Sequence, residues 1–257
     1  MSLVRIWAIA ANGFREVIRD RILYLITFFA LVLLVALPLL PEISATTENK
    51  IFLDLGLGAI GLLSSIVAIL VGTGLINREI NQRTVLVLIP KPISRVELII
   101  GKHLGLLAVL GIMVIAMTVI YLALLSWSNI TYPLGSILIS LIYLLIELAM
   151  LVAIALVFGV FTSEILASLM AFCLYLVGHL SGYLVELGKI NDSESFQTLT
   201  HTLYLVLPDL ERLNLRNEAV YGVLPEPLDL FFNALYGLIY TMVLLAIAVA
   251  IFTRREF

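Results

Sequence analysis

Residues 136–161, SILISLIYLLIELAMLVAIALVFGVF, run for 26 residues with a single acidic or basic side chain, Glu147. A hydrocarbon core of about 30 Å needs roughly 20 apolar residues in helix, since each adds about 1.5 Å. Lipid offers no partners to backbone N–H and C=O groups, so such a run must satisfy them within itself. Outward from this segment the pattern repeats at Ile22–Leu40, Leu55–Ile76, Leu104–Trp127, Ile165–Val185 and Leu228–Phe252. The expected fold is an all-α polytopic membrane protein, one domain over residues 1–257 with six transmembrane helices. The run at 22–40 exceeds the apolar region of a signal peptide and reads as the first span.

The composition agrees. Of 257 residues, 62% are hydrophobic and only 13% charged, with a mean hydropathy of +1.13. A soluble domain carries roughly 25% charged residues to cover its surface. Here lipid must solvate much of it. The net charge of −3 argues against nucleic acid as a partner, which calls for a basic face. Cys173 is the one cysteine; it forms no internal disulfide or cysteine metal cluster and is expected as a small buried hydrophobe.

Orientation follows from Lys and Arg, which concentrate in cytoplasmic segments. With both termini inside, 11 of the 15 basic residues fall on the cytoplasmic side, and Lys50, Lys189, Arg212 and Arg216 fall outside. The expected location is the cell (inner) membrane. Residues 1–21 precede the first span with a helical stripe of Leu3, Ile6, Trp7, Ala10, Phe14, Val17 and Ile18. Arg5, Asn12, Arg15, Glu16 and Arg19 oppose it, while Val4 and Ile9 depart from the pattern. The expectation is an interfacial elbow helix with Trp7 at headgroup depth.

The segment 77–102 joins the second and third spans. Pro90 and Pro92 lack N–H groups and turn the preceding residues away from helix. Ser94 and Glu97 have the spacing of a capping box, which restarts a helix toward the third span. Val85–Ile89 is an apolar ridge between charges, suited to docking into a groove on a partner or to folding back on the bilayer.

Glu79 and Thr84 in an E-x-x-x-x-T spacing, then Pro90-Lys91-Pro92-Ile93-Ser94-Arg95 and Gly101-Lys102, resemble the loop of ABC-2-type transporter permeases. The resemblance is nearest to the subgroup with copper-enzyme-maturation, gliding and sodium-export permeases. Arg83 stands where members often have Gly. Similarity extends to the N-terminal helix, the six spans, Leu207-Pro208-Asp209-Leu210, Tyr221-Gly222 and the basic tail. The resemblance implies a coupling helix between spans 2 and 3, with Glu79, Thr84, Val85, Leu86, Leu88, Pro90, Pro92 and Arg95 shaping the surface that meets a cytoplasmic ABC ATPase. It further implies two ATPase copies, a second permease copy as homodimer or related heterodimer, and export as the direction.

Neither Gly101-Lys102 nor Gly188-Lys189 has the flanking residues of G-x-x-x-x-G-K-[ST]. The chain is therefore not expected to be an enzyme; it has no catalytic or metal residues and no cofactor of its own, and ATP and Mg would be bound by the partner ATPase. Glu147 and His179 are candidate pathway residues, since an ionisable group within a span is expensive to place there. The expected depths differ by about a turn and a half, which does not favour direct pairing. Two other functions are weighed: a secondary transporter or channel using Glu147, and an intramembrane hydrolase pairing His179 with Ser64, Ser65 or Ser181. Only one midplane carboxylate fits the first, and no nucleophile motif surrounds the serines of the second.

Two packing expectations complete the reading. Gly58, Gly61, Ser65, Ala68 and Gly72 form a small-residue face on the second span, and Gly101-x-x-x-Gly105 is a similar signal on the third. In the external loop, 186–227, Phe196, Leu199, Leu203, Val206 and Leu207 repeat at helical spacing before Pro208, which predicts a half-buried helix.

Overall fold

The computed structural model of the protein describes residues 3–18, 22–43, 48–81, 94–183 and 194–254. The helices are α1 (Leu3–Ile18), α2 (Ile22–Ile43), α3 (Glu48–Asn81), α4 (Arg95–Trp127), α5 (Leu134–Phe161), α6 (Glu164–His179), α7 (Glu194–Val206), α8 (Arg216–Tyr221) and α9 (Pro227–Arg254). A 3-10 turn spans Glu211–Leu213. There is no strand among the described residues.

Four helices are long and apolar enough to cross a bilayer: Lys50–Asn77 within α3, then α4, α5 and α9. The first and fifth expected spans are shorter apolar helices, Leu23–Leu39 within α2 and Glu164–His179. The fifth was expected to reach Val185, but α6 stops at His179 and a new helical turn starts at Ser181. The cause is local. The Gly178 carbonyl accepts the Leu210 N–H at 3.1 Å and the Ser181 hydroxyl at 2.9 Å, so a distant segment takes over where the helix breaks.

α5 lies at the centre, against α3, α4, α6, α8 and α9. Every residue from Glu147 to Leu156 is buried. Water expulsion contributes little between helices in lipid, so close approach and interhelical hydrogen bonds carry association. Gly72 supplies the approach: a Cβ there would stand 2.8 Å from the Ala155 Cβ. Polar bridges supply the rest. Tyr121 donates to Leu53 O at 2.9 Å, Asn77 donates to Gly159 O at 3.0 Å, and Thr73 and Ser168 share a 2.7 Å bond. His103 Nε2 donates to Ala149 O at 3.0 Å, and the Tyr143 hydroxyl bonds the Leu230 carbonyl.

α1 packs on the first half of α4. A Cβ on Gly101 would lie 2.7 Å from Ile9 Cγ2, and one on Gly105 would lie 2.7 Å from the Ala10 carbonyl oxygen. The small-residue spacing in α4 is thus a seat for α1. Ile9, which the amphipathic stripe omits, makes the contact, while Trp7 is 77% exposed. Cys173 differs from its expected burial: it is exposed, because α6 buries only Ala167, Ala171 and Gly178 and turns the rest of its surface outward.

Candidate functional site

The start of α4 forms as the spacing predicts. Ser94 Oγ accepts the Glu97 N–H at 3.1 Å, and Glu97 Oε2 accepts the Ser94 N–H at 3.2 Å. Of the coupling candidates, Glu79 falls in the last turn of α3. Thr84, Val85, Leu86, Leu88, Pro90 and Pro92 lie outside the described residues. Arg95 turns toward its own chain: Nη1 donates to the Phe252 and Thr253 carbonyls at 2.6 and 3.0 Å, and the guanidinium stands 5.6 Å from the Phe252 ring centroid. These carbonyls end α9, where unsatisfied oxygens and the helix dipole favour a cation.

A cavity of about 150 Å³ opens between α3, α5, α6 and α8. Gly58, Gly61 and Ser65 leave space on the α3 wall; Ser140 and Glu147 come from α5, and Tyr175 and His179 from α6. The small-residue face of α3 therefore splits its roles: Gly72 packs on α5, and the three residues nearer the start of α3 make room. Arg216 of α8 lies across Gly58, its Nη1 standing 2.8 Å from where a Cβ there would be. Its Nε and Nη2 donate to the two Asp54 oxygens at 2.7 and 3.0 Å.

At the deep end, Glu147 Oε1 lies 3.4 Å from His179 Nε2. The sequence reading did not favour this pairing. The hairpin explains it: only Thr162 and Ser163 separate α5 from α6, so residues equally far from that turn share a level. Glu147 stands fifteen residues before Thr162 and His179 sixteen after Ser163. A count from the turn would have found the pair. His179 Nδ1 lies 3.1 Å from the Tyr175 carbonyl oxygen, and the two rings are 4.6 Å apart. A carbonyl only accepts, so Nδ1 carries the hydrogen and Nε2 faces Glu147.

A second polar cluster gathers around the buried Asp209. Its Oδ1 accepts from Ser181 at 3.1 Å, and its Oδ2 accepts from Tyr204 at 3.1 Å and Arg212 Nε at 2.8 Å. Its N–H donates to the Tyr236 hydroxyl at 2.9 Å. Arg212 Nη2 also donates to the Tyr204 hydroxyl at 2.6 Å. That hydroxyl, opposed by partial burial and then aided by Asp209, holds the guanidinium proton more tightly than usual. One aspartate thus joins the helical turn at Ser181, α7, the 3-10 turn and α9. α7 is the helix predicted before Pro208; among its described side chains Leu203 and Leu205 are exposed and Thr200 is buried, while those of Phe196, Leu199 and Val206 lie outside the described residues.

Asp54, Arg216, Tyr204, Arg212 and Tyr236 were not legible as a site. Asp209 was marked only within the Leu-Pro-Asp-Leu resemblance, where Pro208 announces a turn but nothing announces the partners. No group of three or more His, Cys, Asp or Glu side chains suited to a metal ion occurs among the described residues.

The all-helical membrane architecture and the sequence converge on one family. The family model for ABC-2 family transporter proteins matches residues 7–257, and the chain belongs to that family. It is a multi-pass membrane protein and a permease subunit of an ATP-binding-cassette transporter; such a subunit is not itself catalytic and works with a partner ATP-binding subunit. No curated protein matches the chain.

Proposed function

We propose that the protein is the membrane half of an ATP-driven exporter in the cell (inner) membrane, with both termini in the cytoplasm. Two copies, or one copy and a related permease, assemble with two cytoplasmic ATPase subunits that bind ATP and Mg. Residues 77–102 dock on the ATPase through Glu79, Thr84, the Val85–Ile89 ridge and the Pro90–Pro92 turn. The carrying observation is family membership over residues 7–257. The cytoplasmic bias of Lys and Arg supports the orientation.

The ends of α3 and α4 support the mechanism. α4 has 33 residues and a length of roughly 50 Å, well beyond the hydrocarbon thickness of about 30 Å. Its first turns therefore project, started by the Ser94–Glu97 cap. Arg95 links that start to the end of α9, so a displacement of the 77–102 segment is passed to two long helices. Glu147 and His179 line the pathway in this reading. The test is co-purification of the detergent-solubilised chain with an ATPase encoded beside it. Leu86→Asp should remove the ATPase while membrane insertion persists; normal binding by that variant would place the docking surface elsewhere. Lys91 reachable by an impermeant reagent from outside intact cells would overturn the orientation.

A further inference from the structure

We propose that Glu147 and His179 hold one exchangeable proton between them, loaded through the cavity mouth at Arg216 and Asp54, and that this proton ties α5 to α6. The argument starts from the imidazole. Nδ1 stands against the Tyr175 carbonyl at 3.1 Å and must donate to it, so a neutral ring presents the Nε2 lone pair to Glu147. An ionised carboxylate 3.4 Å from that lone pair finds no hydrogen between them. With one proton added the buried carboxyl is a neutral acid that donates to Nε2, and the contact becomes attractive. Proton uptake changes the pair from one negative charge to none. Proton loss leaves a buried charge facing a lone pair, and α5 and α6 lose this tie.

The route is in the cavity. Side-chain exposure falls from 44% at Arg216 and 41% at Asp54 to 6% at Glu147. The volume of about 150 Å³ has room for several waters. Ser65 and Ser140 add hydroxyls to the walls, which suits a hydrated path. Gly58 to Ser65 is two turns of α3, so the path is on the order of 10 Å long.

Among the described residues, the other groups near the pair are few. α6 supplies Tyr175, α3 and α8 supply the Asp54–Arg216 pair, and Glu211 of the 3-10 turn acts on Glu147 through space. His103 of α4 is bonded to Ala149, on another face of α5. Tyr236 of α9 is held at Asp209. Only the compartment that the mouth faces rests on the function proposed above; the proton site does not.

The test uses the full chain in lipid vesicles and the infrared carboxylic C=O stretch as pH is changed. One band should disappear on alkalinisation, be absent from Glu147→Gln, and change its titration midpoint in His179→Gln. A wild-type spectrum without that band at any pH, or a band that Glu147→Gln leaves intact, would overturn the proposal. If His179→Gln does not insert, nitrogen NMR of labelled histidine in the unmodified chain decides: an Nε2–H, Nδ1-bare neutral ring at residue 179 would overturn it, and the Nδ1–H ring would support it. In oriented vesicles, loss of the band on changing outside pH supports the whole scheme. Loss on changing only inside pH supports the proton pair and overturns the orientation.

Discussion

Arg216 grips both oxygens of Asp54 across 162 residues of chain, with Nε at 2.7 Å and Nη2 at 3.0 Å. The contact joins α8, in the long loop, to the first turns of α3. Both side chains are substantially exposed, so water and salt screen it. Two-point geometry adds specificity that a single-point pair lacks.

Breaking this pair should therefore cost little stability. Asp54→Asn and Arg216→Gln should each lower it by about 1 kcal/mol or less. The exchanged pair Asp54→Arg with Arg216→Asp should recover part of the loss. Thermal unfolding in one detergent at two salt concentrations checks the cycle; a loss of several kcal/mol that salt does not change would show the pair to be buried in the native protein.

Asp209 should behave differently. It is 6% exposed and its carboxylate serves Ser181, Tyr204 and Arg212. Asp209→Ala removes the acceptor of Ser181, Tyr204 and Arg212; Arg212 is 43% exposed and can turn to water, so the cost is about 1–3 kcal/mol, that of hydrogen bonds lost at a mostly buried site. Limited proteolysis at α7 and denaturant titration should rank Asp209→Ala well above Asp54→Ala. Equal effects would mean that the Asp209 cluster does not hold the loop.

The seat of α1 gives a contrast between two glycines of one helix. Gly105→Val places bulk against the Ala10 backbone, and overpacking of this kind costs about 1–3 kcal/mol. Gly111 has open space at its Cβ position, and Gly111→Ala should stabilise α4 by up to about 1 kcal/mol through helix propensity. Hydrogen exchange in residues 3–18 should rise sharply in the first variant and stay unchanged in the second.

Arg95 and Leu86 should separate cleanly. Arg95→Glu sets a negative charge against the carbonyls that end α9, reversing an interaction of about 0.3–1 kcal/mol. Amide exchange in the last turn of α9 should then accelerate. Leu86→Asp should remove the ATPase and leave that turn protected. Loss of ATPase binding in both, with α9 protected in both, would make Arg95 a docking residue alone.

The four long apolar helices were legible because lipid imposes a length and a composition on each segment, and Ser136–Phe161 meets both without reference to anything else in the chain. The Ser94–Glu97 cap was legible because its partners are three residues apart. The site was less so. Glu147 and His179 were singled out by their cost in an apolar setting, yet their pairing depends on where the α5–α6 turn falls. Asp54 and Arg216 carry no local signal at all, being ordinary charges at helix ends until the fold brings them together. Ile9 shows the same limit: periodicity assigns a residue to a face, whereas the neighbour decides which face is used.

The bend at Leu180 has a mechanical meaning. A membrane helix normally ends free in the headgroups and can tilt or slide to suit the thickness of its bilayer. Here the terminal carbonyl at Gly178 is stitched to Leu210, so the top of α6 is clamped to the loop. A push on the far end of that helix must either carry the loop along or unpick the stitch, so α6 and the loop would move as one piece.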